Sequence, residues 1–486
     1  MNATFPQVRL ADVAAVMGAE VRGDPQTLVR DAAYDSRTVP AGSVFFCIPG
    51  AAADGHDFAP QAIAAGAAAL VVQHPLDLAI PQVIVGSVRS AIGPMSAEIF
   101  GHPGAGMTLV GVTGTNGKTT STYLLEAVFR AVGWVPGVAG TTGVRIDGRS
   151  GPLDRTTPEA PDLQRLLARM RGAGVQAVAM EISSHALTQH RVDGVLLDVA
   201  LFTNLSQDHL DFHGTMQDYF EAKAALFAPS HARHGVVNAD DAWGRGLLQD
   251  AAIPMTSFAL DTDADLRASA LAVREQGIAF VVDGTDVRSA LRGRFNAHNC
   301  LGAIAVASAL GIPTATAAAG VASLPLVPGR MEPVEAGQGF LVVVDYAHTP
   351  DSILNVLRGA HALAAGRVIV VFGCGGDRDR AKRPVMGRIA AEQADLVVVT
   401  SDNPRSEDPA GIIDQIVAGM PTGASPVVEP DRAAAISVAV GQAREGDIVL
   451  IAGKGHETYQ EVDGAVVPFD DREIARAALL ARAGSR

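Results

Sequence analysis

With 486 residues and a formal net charge of −14, the chain is long enough for about three domains, and its acidity makes nucleic acid and anionic membranes poor partners. A hydrophobic content of 48% excludes wholesale disorder. Anionic ligands must therefore be held by local Arg and Lys side chains, a bound cation and helix termini rather than by a global field.

The first hundred residues hold short apolar runs, "SVFFCIPG" and "AAALVVQ", separated by turns. The opening "MNATFPQVRLADV" shows no basic segment ahead of an apolar core, so no secretory signal is expected. Cys47, Cys300 and Cys374 are far apart, with no metal spacing. These features suit a soluble cytoplasmic protein. Gly and Pro cluster in "FGHPGAGM" and again in "SLPLVPGRMEP", which marks two boundaries. The expected domains are residues 1–103, 104–330 and 331–486.

Met107 to Val112 reads as a short buried strand, and "STYLLEAVFRAV" reads as an amphipathic helix. Between them Gly114, Thr115, Asn116, Gly117, Lys118, Thr119 and Thr120 form a loop suited to the phosphates of ATP or GTP. Glycine admits a close anion, Lys118 reaches the outer phosphates, and the Thr119 hydroxyl can ligate Mg²⁺. Val112 stands where the strict G-x-x-x-x-G-K-[ST] pattern wants its first glycine. That variant argues against an ordinary motor or switch, and a Gly-rich turn that binds nothing is the bland alternative.

Further on, "GVQAVAMEIS", "LLDVALFTNLS" and "HGVVNAD" continue an alternation of strand and helix. Glu181 and His209 follow two of these strand ends, on the sheet edge expected for Thr119. Carboxylate, imidazole and hydroxyl together make a plausible Mg²⁺ set, although each alone reads as an ordinary loop residue. Lys223 in "DYFEAKAALF" has Tyr219, Phe220, Leu226 and Phe227 as its helical neighbours. It is either a lysine snorkelling from a helix edge or a buried amine with a lowered pKa. The Ala-rich run Leu301–Ser323 is a poor membrane span and reads as a buried helix.

Four apolar strands follow in "LVVVDYAHTPD", "RVIVVFGCGGDRDR", "ADLVVVTSDNPRSED" and "DIVLIAGKGHETYQ", each ending in a polar loop. Such runs alternating with helices predict an α/β protein with a central P-loop-type parallel sheet and a C-terminal Rossmann-like sheet. Ligands then bind at the carboxyl ends of the strands. "GCGGDRDR" is no dinucleotide fingerprint, because Arg378 replaces its last glycine. Arg405 in "DNPR" offers a planar pair of donors matched to a carboxylate; alone, it reads as a loop arginine in solvent.

Taken in order, "TGTNGKTT", "EISSHALTQHR", "TNLSQDHLDFHG", "FNAHN", "PGRME", "DYAHTPD" and "GKGHE" resemble the signatures of the Mur ligases nearly end to end. "YDSRTVPAGSVFFCIPG" and "ADGHDF" are similar to the uridine-nucleotide domain of that family's later members. "SSHALTQHR" and "DNPR" resemble the members that act on UDP-MurNAc-L-Ala-D-Glu and add meso-diaminopimelate. The resemblance implies an ATP- and Mg²⁺-dependent ligase of peptidoglycan synthesis, working through an acyl phosphate. Lys118, Lys223 and His209 would be catalytic, with Lys223 carbamylated and joining Thr119, Glu181 and His209 around metal.

By the same resemblance Asn299, Arg330 and Asp345 would approach the nucleotide, and Tyr34 and Ser36 the uridine part. Thr156, Thr157, Ser183, Gln189 and Arg191 would hold the muramoyl-dipeptide. Arg155 departs from the usual smaller or amide residue and is left out of the site. Asp402, Asn403, Pro404 and Arg405 would receive diaminopimelate, with Arg378 on its other carboxylate and Gly453 and Glu457 at the ammonium end. A monomer is expected. The rivals are a lysine-adding ligase, a folylpolyglutamate synthetase, and an ATP-driven switch.

Overall fold

A computed structural model describes residues 5–50 and 53–484, in which three large sheets organise the chain. Each sheet has apolar side chains on both faces, because buried parallel strands send alternate residues to opposite sides. In the first, Val44 and Phe46 join one core while Phe45 joins another. In the second, Val110 and Val112 pack on one side and Leu109 on the other. In the third, Val368, Val370 and Phe372 oppose Ile369 and Val371. The expected α/β class with a central and a C-terminal parallel sheet is what the chain forms.

The central sheet has nine strands. Its parallel part runs in the order Pro136–Gly140, Ala177–Glu181, Thr108–Thr113, Val199–Phe202, Gly235–Asn238, Met255–Ala259 and Leu266–Arg267. Thr108–Thr113 comes first in sequence yet lies inside the sheet, with later strands on either side. The loop after it therefore opens at the switch point, where α/β sheets bind ligands. Two features go beyond the alternation of strand and helix. Gly143–Ile146 and Arg149–Gly151 extend one edge in antiparallel fashion. Ser269–Arg274, Gly277–Val282 and Thr285–Ser289 form a separate antiparallel meander. The single buried helix expected at Leu301–Ser323 is instead two, Arg294–Ala309 and Thr314–Ser323. Gly311, at φ 74°, and Pro313 divide them, since proline lacks the N–H that would continue the first.

The C-terminal sheet places Ile448–Ala452 between Leu341–Asp345 and Val368–Phe372, followed by Leu396–Val399 and Val427–Val428. The last long strand in sequence is thus central, and the loops of "DYAHTPD" and "GKGHE" become neighbours. A hairpin, Tyr459–Val462 and Ala465–Pro468, adds to this end of the domain.

Beneath that end, Arg432 and Asp471 form an ion pair whose side chains are both 0% exposed. Arg432 Nε and Nη2 donate to the two Asp471 oxygens at 2.7 Å each, and the guanidinium also donates to the carbonyls of Ser401 and Ala452. Removing one partner strands a buried charge, at about 3–5 kcal/mol. Asp471→Asn is therefore expected to lower the C-terminal domain's unfolding free energy by that amount, read from the shift of its urea midpoint. A change below about 1 kcal/mol would show the pair to be dispensable.

Candidate active site

The phosphate loop is shaped by what surrounds it. Gly114 has φ 144°, and a Cβ there would meet the Thr203 hydroxyl at 1.9 Å. Gly117 has φ 88°, and its Cβ would strike Asn299 Oδ1 at 2.4 Å. Both positions need glycine for room as well as for conformation. Neighbouring strands brace the loop: Asn116 N–H donates to Asn204 Oδ1 at 3.0 Å, and the Thr115 hydroxyl donates to the Ser206 carbonyl at 3.1 Å. Thr120 is buried in the first turn of the helix Lys118–Val132.

Two amines converge on the same loop oxygen. Lys118 Nζ donates to the carbonyls of Gly114 and Thr115 at 2.9 and 2.8 Å, and Lys223 Nζ donates to Gly114 O at 2.9 Å. Lys223 is 1% exposed, which discards the snorkelling alternative. Burial lowers its pKa well below the ordinary lysine value, and the Lys118 charge lowers it further against the pull of Asp208. Lys118 is shifted in the same direction by burial.

Around the loop lies a cleft of about 820 Å³. Thr119, Glu181, His209, Asn299, Arg330 and Asp345 all line it, as do Thr156 and Ser183. Glu181 is 1% exposed, with its carboxylate held by the N–H and hydroxyl of Thr141 at 2.9 and 3.1 Å. Burial pushes the His209 pKa down to about 3 despite Asp208, which leaves its imidazole neutral. Arg330 Nη2 donates to the Thr119 hydroxyl at 3.0 Å, and its guanidinium lies over the Tyr346 ring. Asp345 accepts from the N–H groups of Met331 and Ala347. Among the described residues no three His, Cys, Asp or Glu side chains form a metal cluster. The expected set reaches its number only by counting a hydroxyl and a modified lysine.

The remaining predicted residues fall in two separate places. Tyr34 donates to Asp162 at 2.6 Å and Ser36 to Gln61 at 3.0 Å, on the N-terminal side. The Arg191 guanidinium donates to the Thr157 carbonyl and to Gln189, and the Thr157 hydroxyl donates to the Glu181 carbonyl. At the C-terminal end, Asn403 links to Glu457 at 3.0 Å and accepts from buried Lys454 at 2.9 Å. Arg405 is not a solvated loop arginine. Its side chain is 22% exposed, its Nη1 donates to Gly376 O at 2.7 Å, and its Nε lies 3.2 Å from Glu461. Gly375 lies between it and exposed Arg378, and a Gly453 Cβ would touch Asp402.

Family models match in three places: the Mur ligase family, catalytic domain, over residues 32–99; the Mur ligase middle domain over 112–307; and the Mur ligase, glutamate ligase domain, over 329–455. A UDP-N-acetylmuramoyl-L-alanyl-D-glutamate–2,6-diaminopimelate ligase of Geobacillus thermodenitrificans is 47% identical over 472 residues, covering 95% of this chain and 96% of its own. The chain belongs to the Mur ligase family. A ligase of the same name from Streptomyces avermitilis is 45% identical, covering 97% of this chain and 96% of its own. A solved structure of a ligase so named superposes with a TM-score of 0.71 at 34% identity, covering 98% of this chain and all of the other.

As a Mur ligase the chain is an ATP-dependent, amide-forming enzyme rather than a switch. Its cleft also uses residues that the sequence does not single out. Asp351 accepts from the Asn116 side chain at 2.9 Å, so the C-terminal domain touches the phosphate loop directly. Asp208, 6% exposed, lies within charge range of Lys118, Lys223 and His209. Both sit in motifs that carry the resemblance, "DYAHTPD" and "NLSQDHLDFHG", just past strand ends.

Proposed function

We propose that this Mur ligase adds meso-diaminopimelate to UDP-N-acetylmuramoyl-L-alanyl-D-glutamate, using ATP, in the synthesis of peptidoglycan precursor. The carrying observation is that the phosphate loop and the C-terminal loop at Asp345–Asp351 face one cleft. An acyl phosphate formed on one domain can thus be met by an amine held on the other. The reading takes residues 1–103, 104–330 and 331–486 as working domains of a cytoplasmic monomer. No helix among the described residues is long and apolar enough to cross a membrane.

The substrate carboxylate attacks the γ-phosphorus, the β–γ bridging bond breaks, and ADP leaves. Lys118 would neutralise charge on the transferring phosphoryl group, and the oriented N–H groups of the loop would hold its oxygens. The amine of diaminopimelate then adds to the acyl carbon and phosphate departs, leaving the amide. Thr119, buried Glu181 and the neutral imidazole of His209 are a donor set that fits Mg²⁺, which supplies further charge neutralisation when bound. Lys223, as a neutral amine, can bond the carbon of CO₂ and lose a proton, which would place an anionic carbamate beside the loop to join that set. Asn299, Arg330 and Asp345 would frame the nucleotide.

At the other substrate, Arg405 would take the carboxylate that L-lysine lacks and Arg378 the other one, while Glu457 and Gly453 would face the ammonium end. Phosphate release from ATP with UDP-MurNAc-L-Ala-D-Glu tests the whole reading. Release with meso-diaminopimelate but not with L-lysine is expected. Release with lysine would keep the ligase and discard the role of Arg405.

A further inference from the structure

Where the N-terminal and central domains meet, one carboxylate serves three guanidinium groups. Glu159, 3% exposed, immediately precedes the helix Ala160–Gly172. Arg89, on the helix Val88–Ile99 of the N-terminal side, donates through Nη1 to Glu159 Oε2 at 2.6 Å. Arg155 donates to Oε1 at 2.6 Å. Arg191 Nε lies 3.0 Å from Oε1 but is misaligned, so this buried N–H has no acceptor. Three positive charges against one negative leave the group strongly cationic in a chain of net charge −14. The next cation along the junction, Arg165, is already matched by Asp31 and Asp162 and adds nothing to that excess.

The cluster has a definite place. On one side is Tyr34, close enough to feel the charges of Glu159 and Arg155. On the other, Arg191 holds the Thr157 carbonyl, and Thr156 and Ser183 line the cleft beyond. A UDP-linked substrate laid from Tyr34 to the phosphate loop has its groups in the order uridine, diphosphate, muramoyl-dipeptide, carboxylate. Its one strongly anionic segment short of the reacting carboxylate falls at the arginines.

We propose that Glu159 is a positioning residue that gathers Arg89, Arg155 and Arg191 into a seat for the diphosphate of the UDP-linked substrate. This rests on the functional reading above. Without a central anion the three guanidinium groups repel and splay; with it, they stay gathered around one carboxylate. Arg155, 51% exposed, and Arg89, 30% exposed, are the guanidinium groups open to meet phosphate oxygens, with buried Arg191 behind them. Arg155 becomes a binding residue for this chain.

The test uses the whole enzyme and two inhibitors competing with the UDP-linked substrate, UDP and uridine; neither carries a carboxylate. Wild type should favour UDP over uridine. Glu159→Gln should weaken UDP and raise KM for the UDP-linked substrate by about 10-fold, as expected when charge-assisted bonds lose their geometry. Uridine inhibition, KM for ATP and kcat should stay within about 2-fold, the spread of a neutral change. Glu159→Asp, which keeps the charge, should restore most of the loss. If Glu159→Gln does not fold, the half-exposed Arg155→Gln carries the test, with UDP weakened by roughly 3- to 10-fold. Unchanged UDP affinity in the folded variant, or equal loss for uridine and UDP, overturns the seat. A wild type inactive with either amine overturns the functional reading instead, and the seat with it.

Discussion

Lys223→Ala is expected to lower turnover by at least about 100-fold, the loss seen when one preorganised group is removed from a charged transition state. Acetate or propionate should restore part of it by placing a carboxylate in the space the side chain leaves. The side chain is buried with its amine on the Gly114 carbonyl, 2.9 Å away, and burial together with Lys118 lowers its pKa. A lysine needed only as a cation would respond differently: added amines would rescue it and carboxylic acids would not. Lys223→Ala with full activity would remove the residue from the chemistry altogether. KM for diaminopimelate should barely move in any of these experiments, because Arg405 and its neighbours lie outside the cleft around the loop.

Arg405→Asn is expected to raise KM for meso-diaminopimelate about 100-fold, equivalent to roughly 3 kcal/mol for a truncated, partly buried charge-assisted pair. Asparagine is chosen for a backbone reason. Arg405 has φ 52°, a region that asparagine visits and alanine resists. The loss can then be assigned to the guanidinium rather than to a strained loop. Arg405→Lys keeps the charge but not the planar fork, and should recover only a minor part. Equal KM values for Arg405→Asn and wild type would move carboxylate recognition elsewhere, with Arg378 the nearest alternative. KM for ATP is the internal control, since Arg405 does not line the cleft around the phosphate loop.

Local chemistry makes part of this molecule legible in its sequence. The loop Gly114–Thr120 can be read because glycine, lysine and hydroxyl spacing reflects what a phosphate needs from a few consecutive residues. The sheets can be read because a strand buried on both faces is apolar throughout, as in "LVVVD" and "VIVVF". Glu181 and His209 can be placed near Thr119 because strand ends in a parallel sheet share an edge. Lys223 stays divided between two environments in the sequence, since helical spacing shows an apolar stripe but not how deep it lies. Its 1% exposure decides the matter.

Other features depend on distant parts of the chain meeting. The meander at Ser269–Ser289 escapes an alternating strand-and-helix reading because hairpin pairing depends on partners that a single run does not display. The pairing of Arg405 with Glu461 depends on a hairpin more than fifty residues away in sequence. Along the chain Glu159 is an ordinary carboxylate after "TTP", and Arg155 an ordinary cation before it. They acquire a role only where Arg89, some seventy positions earlier, and Arg191, some thirty later, reach the same carboxylate. Sequence by itself determined the fold class, the phosphate loop and the family. Tertiary structure decided which charges are buried, which are paired and which remain free, because desolvation and Coulomb interaction depend on distances in space that no spacing along a chain contains.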